Sequence, residues 1–138
     1  MIGKESVCRV ADVKVLLDSN ICIYLLEGLS EAARQRLETF ARGEVAVSAV
    51  SYAEVMRGLV RSEAAAREKA DGLFSLLDVL PFDRAAAAAY ASLPFKRHSY
   101  DRLIAAHALS LDLCLATNNE SDFADVPGLK LENWTKPA

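Results

Sequence analysis

Three acids, Asp18, Glu54 and Asp101, each stand near the junction of a short apolar run and a helix start, and carboxylates gathered in this way do metal chemistry. Each also has a plainer use. Asp18 closes the run Val13-Lys-Val-Leu-Leu and suits a turn or a helix cap. Glu54 follows Ser51 in the spacing of a capping box, where the glutamate reaches back to the cap residue's N–H. Asp101 falls in the first turn of a helix opened by Ser99, where the macrodipole favours a negative charge. Chance capping explains any one of these more easily than all three. Clustered carboxylates raise one another's pKa and need a cation to stay ionised together. Oxygen donors without a His/Cys cluster fit Mg²⁺ or Mn²⁺ rather than structural zinc. Such ions activate water and stabilise in-line displacement at phosphorus.

Positioning these acids requires strands and helices in alternation. Val13–Asp18 predicts a buried strand, with Ser19 or Asn20 capping a helix over Ile21–Glu27 that Gly28 stops. A helix over Glu31–Arg42, a strand over Glu44–Ser48 and a helix over Tyr52–Arg61 follow. The pattern continues with a helix over 63–77, a strand over Asp78–Phe82 and an alanine-rich helix over Asp83–Ser92. A helix over Tyr100–Leu111 and strands over Leu113–Thr117 and Leu129–Glu132 complete it. Alternation with short connections predicts an α/β fold with a central parallel sheet of about four to five strands and helices on both faces. Ligands of such sheets bind beyond the C-terminal strand ends, where the three acids fall.

A chain of 138 residues, 52% hydrophobic and 25% charged, supports one packed domain. The expected division is an N-terminal extension over 1–12 and the domain over 13–138. Cys8, Cys22 and Cys114 read as reduced thiols rather than a disulfide framework. The polar start does not match a signal peptide and no apolar run is long enough to span a membrane, so the expected location is the cytoplasm. A net charge of −3 runs against nucleic-acid binding in general, but an acidic metal site lowers the total without removing local bases.

Five stretches, in order, carry a family resemblance: Leu17-Asp-Ser-Asn-Ile-Cys-Ile-Tyr-Leu-Leu26; Val47-Ser-Ala-Val-Ser-Tyr-Ala-Glu54 with Gly58; Asp101-Arg-Leu-Ile-Ala-Ala-His-Ala-Leu109; Thr117-Asn-Asn119 with Asp122-Phe123; and Leu131-Glu-Asn-Trp134. Together they resemble the ordered motifs of VapC-type PIN-domain toxins across nearly everything after residue 13. The resemblance implies a Mg²⁺- or Mn²⁺-dependent endoribonuclease acting on tRNA or other structured RNA. It also implies a homodimer and inhibition by a cognate VapB-type antitoxin, through which alone DNA would be contacted. By position, Asp18, Glu54 and Asp101 match three acidic site residues of the family. Many PIN domains carry Thr-x-Asp after the last main strand, and this chain has Asn119 in the third place. Asn119 supplies a carbonyl oxygen without charge, and Asp122 supplies a carboxylate if a short helical turn brings it round. Thr117 is expected to support the site through its hydroxyl, with Asn20 beside it.

Before Asp101, where relatives often have a glycine-containing loop, stands Phe95-Lys-Arg-His-Ser-Tyr100. Lys96, Arg97 and Arg102, with Arg57 and Arg61 on the helix of Glu54, are expected contacts for RNA phosphate or antitoxin. His107, in an apolar helical stretch, reads as a packed histidine rather than a base. Two rival functions are weighed. An aspartate-phosphorylated receiver needs a lysine at a late strand end, where this chain has Thr117 followed by Asn118 and Asn119. A non-catalytic PIN-like interaction module would follow if Asn119 disabled the metal site.

Overall fold

The computed structural model describes residues 12–94 and 99–136. Its centre is the strand β1 (Val15–Leu17), whose three side chains are all buried but face opposite ways. Successive residues of a strand point to alternate faces. Leu16 therefore joins Ala46, Ile104, Leu115 and Phe123 in one core, while Val15 and Leu17 join Val45, Val47, Val55, Ala116 and Trp134 in the other. Two dry faces explain why the strand sequences read as continuous apolar runs rather than as alternation.

The remaining strands are β2 (Val45–Ser48), β3 (Asp78–Leu80), β4 (Cys114–Thr117) and β5 (Lys130–Asn133), paired in parallel in the order β3-β2-β1-β4-β5. Chain order runs outward from β1 to β3 on one side and then resumes at β4 on the other. The crevice between β1 and β4 is thus the topological switch point, where open parallel sheets bind ligands.

Helices α1 (Ser19–Glu27), α2 (Glu31–Glu38), α3 (Ala49–Gly58), α4 (Ala64–Leu76), α5 (Arg84–Ala91) and α6 (Tyr100–Ser110) connect the strands, and a 3₁₀ turn (Glu120–Phe123) lies between β4 and β5. α1 ends at Gly28 with φ of 65°, a left-handed conformation that glycine adopts without steric cost. The expected architecture of the sheet holds, while several boundaries move. α2 stops at Glu38 rather than Arg42, because Phe40 turns inward to stack on Trp134 with ring centroids 5.7 Å apart. β3 ends at Leu80, ahead of Pro81, which has no N–H to donate to a ladder. α3 begins at Ala49, three residues earlier than its polar pattern suggests, with Ser48 as the cap accepting from the Val50 N–H. Among the described residues no helix is long and apolar enough to cross a membrane.

Leu16 is fully buried at the middle of the central strand, so Leu16→Ala should lower the free energy of unfolding by about 2–5 kcal/mol in urea titrations. Leu29→Ala, at a side chain 62% exposed, should shift it by less than about 0.5 kcal/mol.

Candidate active site

Asp18 leaves β1 at the switch point, its backbone N–H donating to the Ala116 carbonyl of β4 at 3.0 Å. The residue is 3% exposed. Its Oδ1 accepts the Ile21 N–H at 2.9 Å, so Asp18 itself caps α1, and Ser19 becomes the first helical residue instead of the cap. Thr117, fully buried at the end of β4, hydrogen-bonds the Asp18 carboxylate and accepts the Asn119 N–H at 3.1 Å. Burial nevertheless dominates. It raises the Asp18 pKa to about 6, against the lowering effect of Thr117 and Ile21, and the charges of Asp101 and Asp122 push in the same direction as burial.

Glu54 reaches the same region from α3. Because that helix is capped by Ser48, the expected capping box at Ser51 does not form, and Ser51 Oγ instead donates to the Leu17 carbonyl at 3.4 Å. Glu54 is free of a capping duty. Its Oε1 accepts a hydrogen bond from Ser19 Oγ at 2.5 Å. Burial raises its pKa, Ser19 lowers it, and Asp101 raises it again. Asp101, half-buried in the first turn of α6, therefore acts electrostatically on both Asp18 and Glu54.

The fourth acidic position divides into two roles. Asn119 is exposed and caps the 3₁₀ turn: its Oδ1 accepts from Ser121 N–H at 3.2 Å and Ser121 Oγ at 2.6 Å. Its Nδ2 donates to Asp122 Oδ1 at 3.3 Å. The carboxylate that bears on Asp18 from this turn is that of Asp122. Asn20 is directed elsewhere, donating to Asn118 Oδ1 at 3.2 Å, while Asn118 donates to the Tyr24 hydroxyl and accepts from Asn133 through its carbonyl. This network ties α1 to the ends of β4 and β5.

The expected basic contacts separate as well. Arg57 is exposed and lines a cleft with Glu54, Val50, Tyr100 and Leu103 between α3 and α6. Arg61 lies beyond the end of α3, where hydrogen bonds from Leu59 and Val60 close the last turn, so it does not share the helical face of Glu54. Arg102 is not at the surface. Its side chain is 3% exposed and its Nη2 donates to Asp125 Oδ2, because α6 turns that position against the segment after the 3₁₀ turn. Lys96 and Arg97 lie outside the described residues. His107 is packed, its Nδ1 2.8 Å from Ser48 Oγ and its ring edge-to-face with Phe82, and burial lowers its pKa.

Two partners were hidden from the sequence. Ser19 reads as a cap but holds Glu54, and Arg102 reads as a surface base but is an internal ion-pair donor. Adjacency to Asp18 and Asp101 is the local signal both carry; their partners are remote in sequence. By donor type and charge the four acids suit a hard divalent cation, and a buried Asp18 with its pKa near 6 is a group that such a cation would stabilise in ionised form. Among the described residues no three His, Cys, Asp or Glu side chains form a ready metal-holding group. The acids share an electrostatic field rather than a formed cage.

Known proteins share this fold over most of the chain. The PIN domain family model matches residues 15–129. The tRNA(fMet)-specific endonuclease VapC of Shigella flexneri is 33% identical over 132 residues, covering 89% of this chain and 99% of its own. Ribonuclease VapC2 of Rickettsia felis is 30% identical, covering 88% and 98%. Among solved structures, VapBC2 from Rickettsia felis bound to a DNA fragment from its promoter superposes with a TM-score of 0.79 at 28% identity, covering 88% of this chain and 99% of that one.

A carboxylic acid whose native pKa lies above its unfolded value binds more protons when folded, so it destabilises the native state as pH rises between the two values. For Asp18 the window runs from an ordinary value near 4 to about 6, corresponding to roughly 3 kcal/mol. Metal-free Asp18→Asn should thus gain about 2–3 kcal/mol on the parent between pH 4 and pH 7 in urea unfolding. A pH-independent difference would contradict the assigned burial.

Proposed function

Because this chain belongs to the PIN-domain family, on its VapC side, we propose that it is the toxin ribonuclease of a toxin–antitoxin pair, dependent on Mg²⁺ or Mn²⁺. The observation that carries the reading is the buried Asp18 at the β1/β4 crevice, under the combined charge of Asp101 and Asp122. Asp18, Asp101 and Asp122 are the residues to hold the ion, with Glu54 bordering it. When bound, a divalent cation supplies charge stabilisation at phosphorus and lowers the pKa of water.

The chain's own residues do the rest. Thr117 and the Ile21 N–H orient the Asp18 carboxylate, and Ser19 orients that of Glu54, so neither acid must reorganise freely during reaction. Arg57 flanks Glu54 on the exposed side and is placed to contact an RNA phosphate. The tRNA specificity of the Shigella relative makes tRNA the first substrate to try.

An antitoxin of the VapB kind is the proposed partner, as in the VapBC structures of related chains. An apolar groove supports this: Ile23 and Leu26 of α1, Val55 of α3, Leu59 just after it and Ala66 of α4 line a cavity of about 430 Å³ that also reaches Glu54. A peptide seated there would lie beside the acids. DNA would be contacted through that partner. The catalytic reading is favoured over a non-catalytic module because Asn119 caps a turn whose Asp122 carboxylate acts on Asp18.

Purified protein should cut tRNA with Mg²⁺ or Mn²⁺ and stop with excess chelator. Asp101→Asn should lower the cleavage rate by at least about a hundredfold, the scale of losing a group that stabilises transition-state charge, with an unchanged Tm. Cleavage by Asp101→Asn at the parental rate would refute the assignment.

A further inference from the structure

Asp101 and Asp122 belong to segments remote in sequence, and two kinds of contact join those segments. Apolar contact comes from Phe123 and Val126, which share a core with Ile104, Ala105 and Ala108 of α6. Polar contact comes from the residues beside the acids themselves. Arg102, next to Asp101, donates through Nη2 to Asp125 Oδ2, three residues beyond Asp122. The arginine side chain is 3% exposed, whereas that of Asp125 is 59% exposed. Arg102 Nε and Nη1 have no hydrogen-bond partner among the described residues.

These facts give the pair a specific mechanical role. Apolar side chains hold two elements together but allow them to slide and rotate, whereas a charge-assisted hydrogen bond is directional. A buried guanidinium also loses much when its carboxylate is removed, since an uncompensated charge is then left in a poorly solvated place. With two nitrogens unbonded among the described residues, Asp125 is the carboxylate there that sets where the fork of Arg102 lies. The pair thus fixes the turn carrying Asp122 relative to the helix carrying Asp101. The Asn119 cap binds Ser121 and Asp122 and so fixes the turn internally.

We propose that the Arg102–Asp125 ion pair is a latch that sets the separation of Asp101 and Asp122, and thereby the affinity of the acidic site for a divalent cation. Both are positioning residues, and the inference rests on the metal-dependent ribonuclease reading above. Their contribution is made before RNA arrives, so metal binding by the free protein reports it.

The test is calorimetric titration of the full chain with Mn²⁺, without RNA, for the parent, Asp125→Asn, Asp125→Glu and Asp112→Asn. Asp112 pairs with Lys130 on the surface and serves as a control for losing an ion pair. Asp125→Asn should weaken Mn²⁺ binding about tenfold or more, the scale typical of lost outer-shell partners. Asp125→Glu should recover most of that loss and Asp112→Asn should bind as the parent does. The Mn²⁺ concentration for half-maximal RNA cleavage should rise with Asp125→Asn, while the rate at saturating Mn²⁺ changes less. If Asp125→Asn lowers Tm yet binds Mn²⁺ like the parent, the latch is overturned and the pair is merely structural. Should Asp125→Asn fail to fold, the double change Arg102→Gln with Asp125→Asn removes both charges and should fold while still binding Mn²⁺ weakly; parental affinity there overturns the latch. A parent that binds Mn²⁺ but leaves RNA intact defeats the ribonuclease reading and leaves the latch to be judged on binding. A parent that binds no Mn²⁺ defeats both.

Discussion

Burial of the Asp18 carboxylate at the end of the central strand is the constraint around which most of the surrounding structure is arranged. β1 is dry on both faces, so the residue that ends it emerges among side chains rather than into water. Burial alone makes the charged form costly, and Asp101 and Asp122 increase the cost. Hydrogen bonds from Ile21 N–H and Thr117 recover only part of it. A buried carboxylate of this kind, at the crevice where β1 and β4 part company, is the feature on which the proposed cation site rests.

The other acids come to this place by different means, and each depends on a neighbour that has no chemistry of its own. Glu54 arrives because α3 is capped by Ser48 and starts at Ala49, so that the helix carries Glu54 to Ser19. Ser48 in turn sits against the packed His107 of α6, so the element bearing Asp101 also steadies the start of the element bearing Glu54. Asp122 arrives on a turn that Asn119 caps. Asn119 carries no charge, and the carboxylate of this turn whose charge acts on Asp18 is that of Asp122, three residues along.

The sheet was legible in the sequence because its strands are local apolar runs bounded by breakers, and because parallel order follows from alternation with helices. Asp18, Glu54 and Asp122 were legible as candidates through their positions after strands, and Asp101 through its place in the first turn of a helix. What local pattern could not supply were effects of distant residues. Phe40 leaves α2 early to meet Trp134, which is far along the chain. Ser51 and Glu54 have the spacing of a capping box, but packing of β2 against β1 starts the helix sooner and gives Ser51 a different partner. Arg102 beside an acid in a basic stretch looks like a phosphate contact, yet helical rotation buries it against Asp125. In each case the residue type was read correctly and its direction was not, since direction depends on tertiary packing.

The central claim is that the carboxylates around the β1/β4 crevice form one divalent-cation site. Crystals of the full chain grown with Mn²⁺, measured for anomalous scattering at a wavelength where manganese contributes strongly, test it most directly. An anomalous peak is expected within coordination distance of Asp18 together with Asp101 or Asp122. A well-ordered crevice with no peak there, while manganese occupies other carboxylates of the same molecule, would contradict it.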